Sequence, residues 1–183
     1  HYPGAGVGGP CLPINSYQLL NTARRAGVKL NIIESSRQIN ERMPEHVIEL
    51  TLDAFKECNK TIQDNDILIL GISYKPDVKD IQLTPAKHII EKLQKLGANV
   101  HIYDPYFSSG QVFDINVEEN LDDIISKVDA SIIVTGHKEF KKIEPSFFNQ
   151  MKGSILIDTR GIIDPEDAKK TKLIFRGLGR GKL

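Results

Sequence analysis

Apolar positions recur along this chain in two rhythms. From residue 64 onward, short β-branched or aliphatic runs alternate with amphipathic stretches of helical period. Runs at 67–70, 100–103, 131–134, 154–157 and 173–175 read as strands, each ending near Gly, Asp or Thr. Between them, 85–96, 120–127, 145–151 and 165–170 read as helices. Repeated strand–helix units predict an α/β fold with a parallel sheet covered by helices on both faces, a Rossmann-like domain over residues 64–183. In such sheets ligands bind beyond the carboxyl ends of the strands. That points to residues 73–75, 104–106, 135–138 and 159–161.

Residues 1–63 have a different pattern: a glycine-rich loop, then helical periodicity at 15–25 and 30–59. In the second stretch Val47, Ile48, Thr51, Leu52 and Phe55 share one face. Pro44 predicts a kink or restart, with a boundary at Met43. A long stripe with no obvious local partner is most economically buried against a second copy, which predicts a homodimer.

Composition narrows the class. The chain has 183 residues, 40% hydrophobic and 26% charged, with no net charge. That suffices for one core plus a helical appendage. There is no basic footprint for nucleic acid or a membrane surface, and no apolar run of spanning length. Two cysteines, Cys11 and Cys58, make no disulfide framework and fit a reducing, cytoplasmic setting. No His/Cys spacing suits zinc, so no metal is expected.

The candidate chemistry begins at the amino end. The segment Gly4-Ala-Gly-Val-Gly-Gly-Pro10 leads directly to Cys11. Glycines let backbone approach a ligand closely, and a thiolate attacks carbon. Cys11 is therefore either a nucleophile or a small buried hydrophobe. The Gly4-x-Gly6-x-x-Gly9 spacing matches a dinucleotide fingerprint, but that motif needs a preceding strand and a following helix. Here Pro10 follows, so the segment reads as a loop. Lys75 follows the first strand, and Thr84-Pro85 reads as N-cap and first turn of a helix. Together they would form an anion site, unless Lys75 is simply solvated. Arg160 ends the fourth strand, as a fork for phosphate oxygens or as an ion-pair partner of Asp158 or Asp164. Asp104 would bind a ribose or shape a turn before Pro105, and His137 has no assigned role.

Four motifs in order then carry a resemblance: Gly-Val-Gly-Gly-Pro-Cys11-Leu-Pro; Gly-Ile-Ser-Tyr-Lys75-Pro-Asp with Asp80-Ile-Gln-Leu-Thr-Pro85; Tyr103-Asp-Pro105; and Asp158-Thr-Arg160. The chain resembles the UDP-glucose/GDP-mannose dehydrogenase family, in the part after its N-terminal NAD domain. The resemblance implies oxidation of a UDP-sugar C6 alcohol to a carboxylate with two NAD. It implies Cys11 as nucleophile and Gly8 against the sugar. It places Tyr74 and Lys75 against UDP, and Arg160 near the nucleotide. Residues 31–58 look like the family's dimer-forming helix. A thiohemiacetal on Cys11 lets a second hydride leave, and water then cleaves the thioester.

Three positions depart from the family pattern. Asn15 stands where aspartate is usual, four residues after the cysteine; an amide hydrogen-bonds water without taking its proton. Ile14 replaces a lysine common in glucose-type members and matches the Pro-Ile pair of N-acetylhexosamine-type members. Gln82 replaces a common arginine. The family's NAD site and acid/base residues lie upstream of the glycine loop, so the expectation is a piece of a longer enzyme that does not turn over unaided. The competing expectations are a non-enzymatic nucleotide-binding dimerisation module and, more remotely, a flavodoxin-like signalling domain using Asp104.

Overall fold

The five predicted runs form one all-parallel sheet. The computed structural model describes residues 2–180; residue 1 and residues 181–183, the outer ends of the two predicted segments, lie outside the described residues. Two helices come first, α1 (Leu12–Arg25) and α2 (Asn31–Glu57). Then follow β1 (Asp66–Leu70), α3 (Pro85–Lys95), β2 (Asn99–Tyr103), β3 (Gln111–Val112), β4 (Ile115–Asn116), α4 (Leu121–Ile125), β5 (Ala130–Ile133), β6 (Ile155–Asp158), α5 (Pro165–Ala168) and β7 (Ile174–Gly177). The predicted helix at 145–151 is a 3₁₀ segment, Pro145–Gln150.

The strand order is β2-β1-β5-β6-β7. The chain leaves β1 toward one edge and returns on its other side at β5, so the topological switch point lies between β1 and β5. Alternation of side chains along each strand splits the core. Ile67, Ile69, Ile132 and Ile157 pack with α2 and α3 on one face. Leu68, Leu70, Ile133 and Leu156 pack with α4 on the other. Each such buried side chain contributes about 1.5–3 kcal/mol relative to exposure.

Two expectations change. First, α2 runs through Pro44 without a boundary at Met43. A proline inside a helix loses one N–H and clashes with the carbonyl four residues back, at a cost of about 3 kcal/mol. Pro44 is buried, and Val47 and Ile48 one turn later sit in the core, so packing of the proline and of the turn after it offsets that cost. Second, the stripe of Val47, Ile48, Thr51 and Phe55 needs no second copy, because it is buried within this chain, where α2 packs on α3, β6 and β7. Leu52 lies off that stripe and stays exposed.

The β3–β4 hairpin was absent from the sequence reading. Its turn residues Phe113 and Asp114 both have positive φ, 54° and 62°, as a two-residue hairpin turn of primed type requires. Phe-Asp lacks the Asn-Gly signal by which such turns are recognised. Among the described residues no helix is long and apolar enough to cross a membrane.

Candidate functional site at the carboxyl rim of the sheet

A cavity of about 410 Å³ opens where the strand ends meet the glycine loop. Its walls include Gly6, Val7, Gly8 and Leu12, then Tyr74 and Lys75 after β1, Gly136 and Lys141 after β5, and Arg160 after β6. Loops from both sides of the switch point thus contribute. Among the described residues three cations, Lys75, Lys141 and Arg160, line it, and no carboxylate does. Lys141 was missed in the sequence, because a lysine in a polar run gives no signal until the turn after β5 aims it.

Arg160 is half-buried, and its guanidinium packs against Gly4, where a Cβ would lie 2.1 Å from Nη1. The expected alternative of an ion pair with Asp158 or Asp164 is not formed among the described residues. The buried Asp158 carboxylate is occupied by backbone N–H groups of Arg160, Gly161 and Ile163, at 2.8, 2.9 and 2.8 Å. Burial pulls the Arg160 pKa down, while the Asp158 charge pulls it up. A desolvated cation beside an open cavity favours an incoming anion. Lys75 is exposed, its Nζ 5.6 Å from the Tyr74 ring centre. The Thr84 hydroxyl accepts from the Ala86 N–H and caps α3, as expected. However, Pro85 faces a neighbouring cavity with Ile14, Arg37 and His88, so the start of α3 and Lys75 do not line one cavity.

Cys11 is exposed, which excludes the buried-hydrophobe reading. It is the N-cap of α1, which starts at Leu12, three residues earlier than expected. Cys11 itself does not line the cavity, although Gly8 and Leu12 on either side of it in the chain do. Asn15 is exposed one turn on, its N–H donating to the Cys11 carbonyl at 2.8 Å. Gly8 lines the cavity with its back to Leu83 and Tyr74: a Cβ there would lie 2.2 Å from the Leu83 carbonyl oxygen.

The glycine loop is braced from three directions that sequence alone did not reveal. Asn40 of α2 clamps Val7 by accepting from its N–H and donating to its carbonyl. Gly9 N–H donates to the Gln82 carbonyl at 2.9 Å, so Gln82 serves through its backbone. Gly6, at φ +132°, sits against the Asn40 carbonyl, the one whose α-helical acceptor role Pro44 cannot fulfil. Pro44 thus leaves that carbonyl without its α-helical donor where the loop docks.

Asp104 and His137 are fully buried beneath the rim. Asp104 accepts from the N–H groups of Ile72 and Tyr106 and faces His137 Nε2 at 3.1 Å. Burial works against its carboxylate, yet these hydrogen bonds prevail and hold its pKa below the usual value. It is a turn-shaping aspartate, which removes it as an exposed ribose ligand or phosphoacceptor. Donor atoms of Asp77, His137 and Glu139 lie within 4.8 Å of one another. Both His137 nitrogens are already engaged, by the Asp77 N–H and by Asp104, so the imidazole is committed within the protein.

The described residues do not fit a dinucleotide cradle. The glycine loop opens directly into α1 with Cys11 as its cap. The turn after β1 holds one glycine, Gly71, and residues 71–84 separate the strand from α3.

A parallel sheet with a cation-lined cavity over its switch point defines a nucleotide-binding class of α/β protein. Comparison with known proteins is more specific. Residues 68–165 match the UDP-binding domain of the UDP-glucose/GDP-mannose dehydrogenase family, and residues 1–42 match its central domain. The chain belongs to that family, whose dehydrogenases use NAD. It is 35% identical over 182 residues to the UDP-N-acetyl-D-mannosamine dehydrogenase of Pyrococcus horikoshii, covering 99% of this chain and 40% of the relative. It is 30% identical to a UDP-glucose 6-dehydrogenase of Bacillus subtilis, over 97% of this chain and 39% of the relative. The solved UDP-D-ManNAc dehydrogenase of Pyrococcus horikoshii superposes with a TM-score of 0.87 at 34% identity, over all of this chain and 41% of that one. An NDP-N-acetyl-D-galactosaminuronic acid dehydrogenase of Methanosarcina mazei gives 0.88 at 26% identity, over 98% and 40%. The chain spans about 40% of the length of these relatives.

Proposed function

We propose that this chain is the UDP-sugar-binding and nucleophile-bearing portion of an NAD-dependent UDP-sugar 6-dehydrogenase. The observation that carries this reading is the cavity itself: Lys75, Lys141 and Arg160 converge without a carboxylate, and the loop bearing Cys11 closes one wall. Three cations suit a diphosphate, and Tyr74 offers a ring face beside it. The sugar end of such a ligand would lie toward Gly8 and Leu12, the neighbours of Cys11 in the chain.

In this reading NAD+, which these residues do not cradle, would supply acceptance of one hydride from C6 in each of two oxidations. These residues supply the rest. The Cys11 thiolate adds to the C6 aldehyde, and the tetrahedral adduct makes the second hydride a competent leaving group. The resulting thioester is cleaved by water, returning the thiol and a uronate. Asn15, one turn along α1, orients the hydrolytic water by hydrogen bonding and leaves the proton to another base. The sugar is an N-acetylhexosamine, a reading supported by the identity to UDP-N-acetylmannosamine dehydrogenases and by Ile14.

We further propose homodimerisation through α2, on a different face from the one the sequence suggested. Ile32 and Ile39 stand seven residues apart on one face and are 84% and 63% exposed.

Calorimetric titration of the chain with UDP, UDP-glucose and UDP-N-acetylmannosamine tests the binding. Alkylation of Cys11 with and without ligand tests the chemistry. All three ligands should bind, and UDP-N-acetylmannosamine should slow alkylation of Cys11. A chain that binds UDP while Cys11 reacts at the same rate under saturating UDP-sugar would be a nucleotide-binding dimerisation module instead.

A further inference from the structure

Tyr74 and Lys75 are borne by a loop braced within itself by the Tyr74 N–H on the Asp80 carbonyl at 2.9 Å and the Ser73 hydroxyl on the Val78 carbonyl at 2.6 Å, and it is held from beneath as well. We propose that His137 is a positioning residue for this loop, a statement that rests on the cavity being the UDP site. The imidazole is fully buried and uses both nitrogens. Nδ1 faces the backbone N–H of Asp77 at 3.0 Å, so it must be the acceptor. The proton therefore sits on Nε2, which donates to Asp104 Oδ2 at 3.1 Å. The same carboxylate oxygen accepts from the N–H groups of Ile72 and Ser73, at 2.8 and 3.3 Å.

Asp104 thus holds the start of the loop and His137 holds it at Asp77, halfway along, the far end of the stretch that bears Tyr74 and Lys75. The ring cannot tilt away, because Tyr106 stacks on it at 4.9 Å and Phe140 meets it edge-on at 5.5 Å. The far end needs such a tether. Asp77 has φ +61°, a left-handed conformation that costs a non-glycine residue energy. Its carboxylate is tied too, accepting from the Lys138 N–H at 3.0 Å and the Tyr106 hydroxyl at 3.4 Å. The turn after β5 therefore grips the loop after β1 across the switch point, and His137 is the grip on its backbone.

The test is a double-mutant cycle read by UDP calorimetry on this chain. His137→Leu removes both hydrogen bonds, and His137→Gln keeps a donor and an acceptor. Lys75→Met should weaken UDP binding about tenfold in the wild-type background and less than about twofold in His137→Leu, because Lys75 is no longer aimed. His137→Gln should restore most of the Lys75 effect. An undiminished Lys75 effect in His137→Leu, or a His137→Leu chain that binds UDP normally, overturns the proposal. Should His137→Leu fail to fold, nitrogen-15 spectra of the wild-type ring decide: protonated Nε2 and bare Nδ1 are expected, and protonated Nδ1 overturns the proposal. Amide exchange at Asp77, faster in His137→Leu than in wild type and restored toward wild type in His137→Gln, reports the tether without ligand. A wild-type chain that binds no UDP would sink the reading of the cavity, and the spectra and amide exchange would still decide the role of His137.

Discussion

Asn40 holds Val7 by both of its backbone polar groups, accepting from its N–H at 2.8 Å and donating to its carbonyl at 3.2 Å. A residue in the middle of α2 thereby fixes the conformation of the loop that carries Cys11. Replacing Asn40 with Leu removes two hydrogen bonds worth about 1 kcal/mol each. Loop opening should rise more than about tenfold. Faster amide exchange at Val7 and faster Cys11 alkylation, with little change in global unfolding, are the expected readouts.

The three cavity cations should differ in weight. Arg160 is half-buried and offers a planar fork, whereas Lys75 and Lys141 are exposed point charges. Arg160→Gln should weaken UDP binding by about 100-fold, Lys75→Met by about tenfold and Lys141→Met by a few-fold. Calorimetry at two salt concentrations checks both the ranking and the electrostatic origin, since the lysine effects should shrink at high salt.

Arg176 is buried on β7, with Nε and Nη2 both 3.1 Å from Asp53 and with Glu57 also paired to it. It ties the last turns of α2 to the sheet. Loss of one partner from a buried pair costs about 3–5 kcal/mol, and the half-exposed acids reduce that here. Arg176→Ala should cost about 2–3 kcal/mol in urea unfolding. An unchanged midpoint would show that α2 docks by its apolar stripe alone.

Acid should loosen the rim through Asp104. Its pKa is held below 3.8 in the folded chain, so its contribution to stability is fully present above that value. The contribution is lost as pH falls from there through the lower folded value. Unfolding free energy should therefore drop with falling pH more steeply in wild type than in Asp104→Asn over that window, as measured by urea titrations at stepped pH.

Ile39→Glu places a charge on the exposed apolar face of α2 without touching the core. If that face joins two copies, sedimentation should show a dimer for wild type and a monomer for the variant. Calorimetric UDP binding and thermal unfolding of the variant monomer separate loss of association from loss of fold.

Strand positions were legible from the sequence because buried parallel strands must be short, β-branched runs, and each of the five lies within a residue or two of its predicted bounds. Lys75 and Arg160 were legible as a pair for a similar reason. A parallel sheet obliges every strand to end on one rim, so residues just after the strands converge whatever the loops do. Contacts across the sequence were not legible. Nothing local in Asn40, His137 or Lys141 says which loop each will meet, and Pro44 locally says break. The proline survives inside α2 because the core holds Pro44 itself and the turns after it, and that packing exists only once the sheet has formed. The periodic pattern settled the local structure, since backbone hydrogen bonding and burial act over a few residues. The bracing of the glycine loop and of the Lys75 loop was decided by tertiary structure, since hydrogen bonds between residues more than thirty positions apart depend on the finished topology.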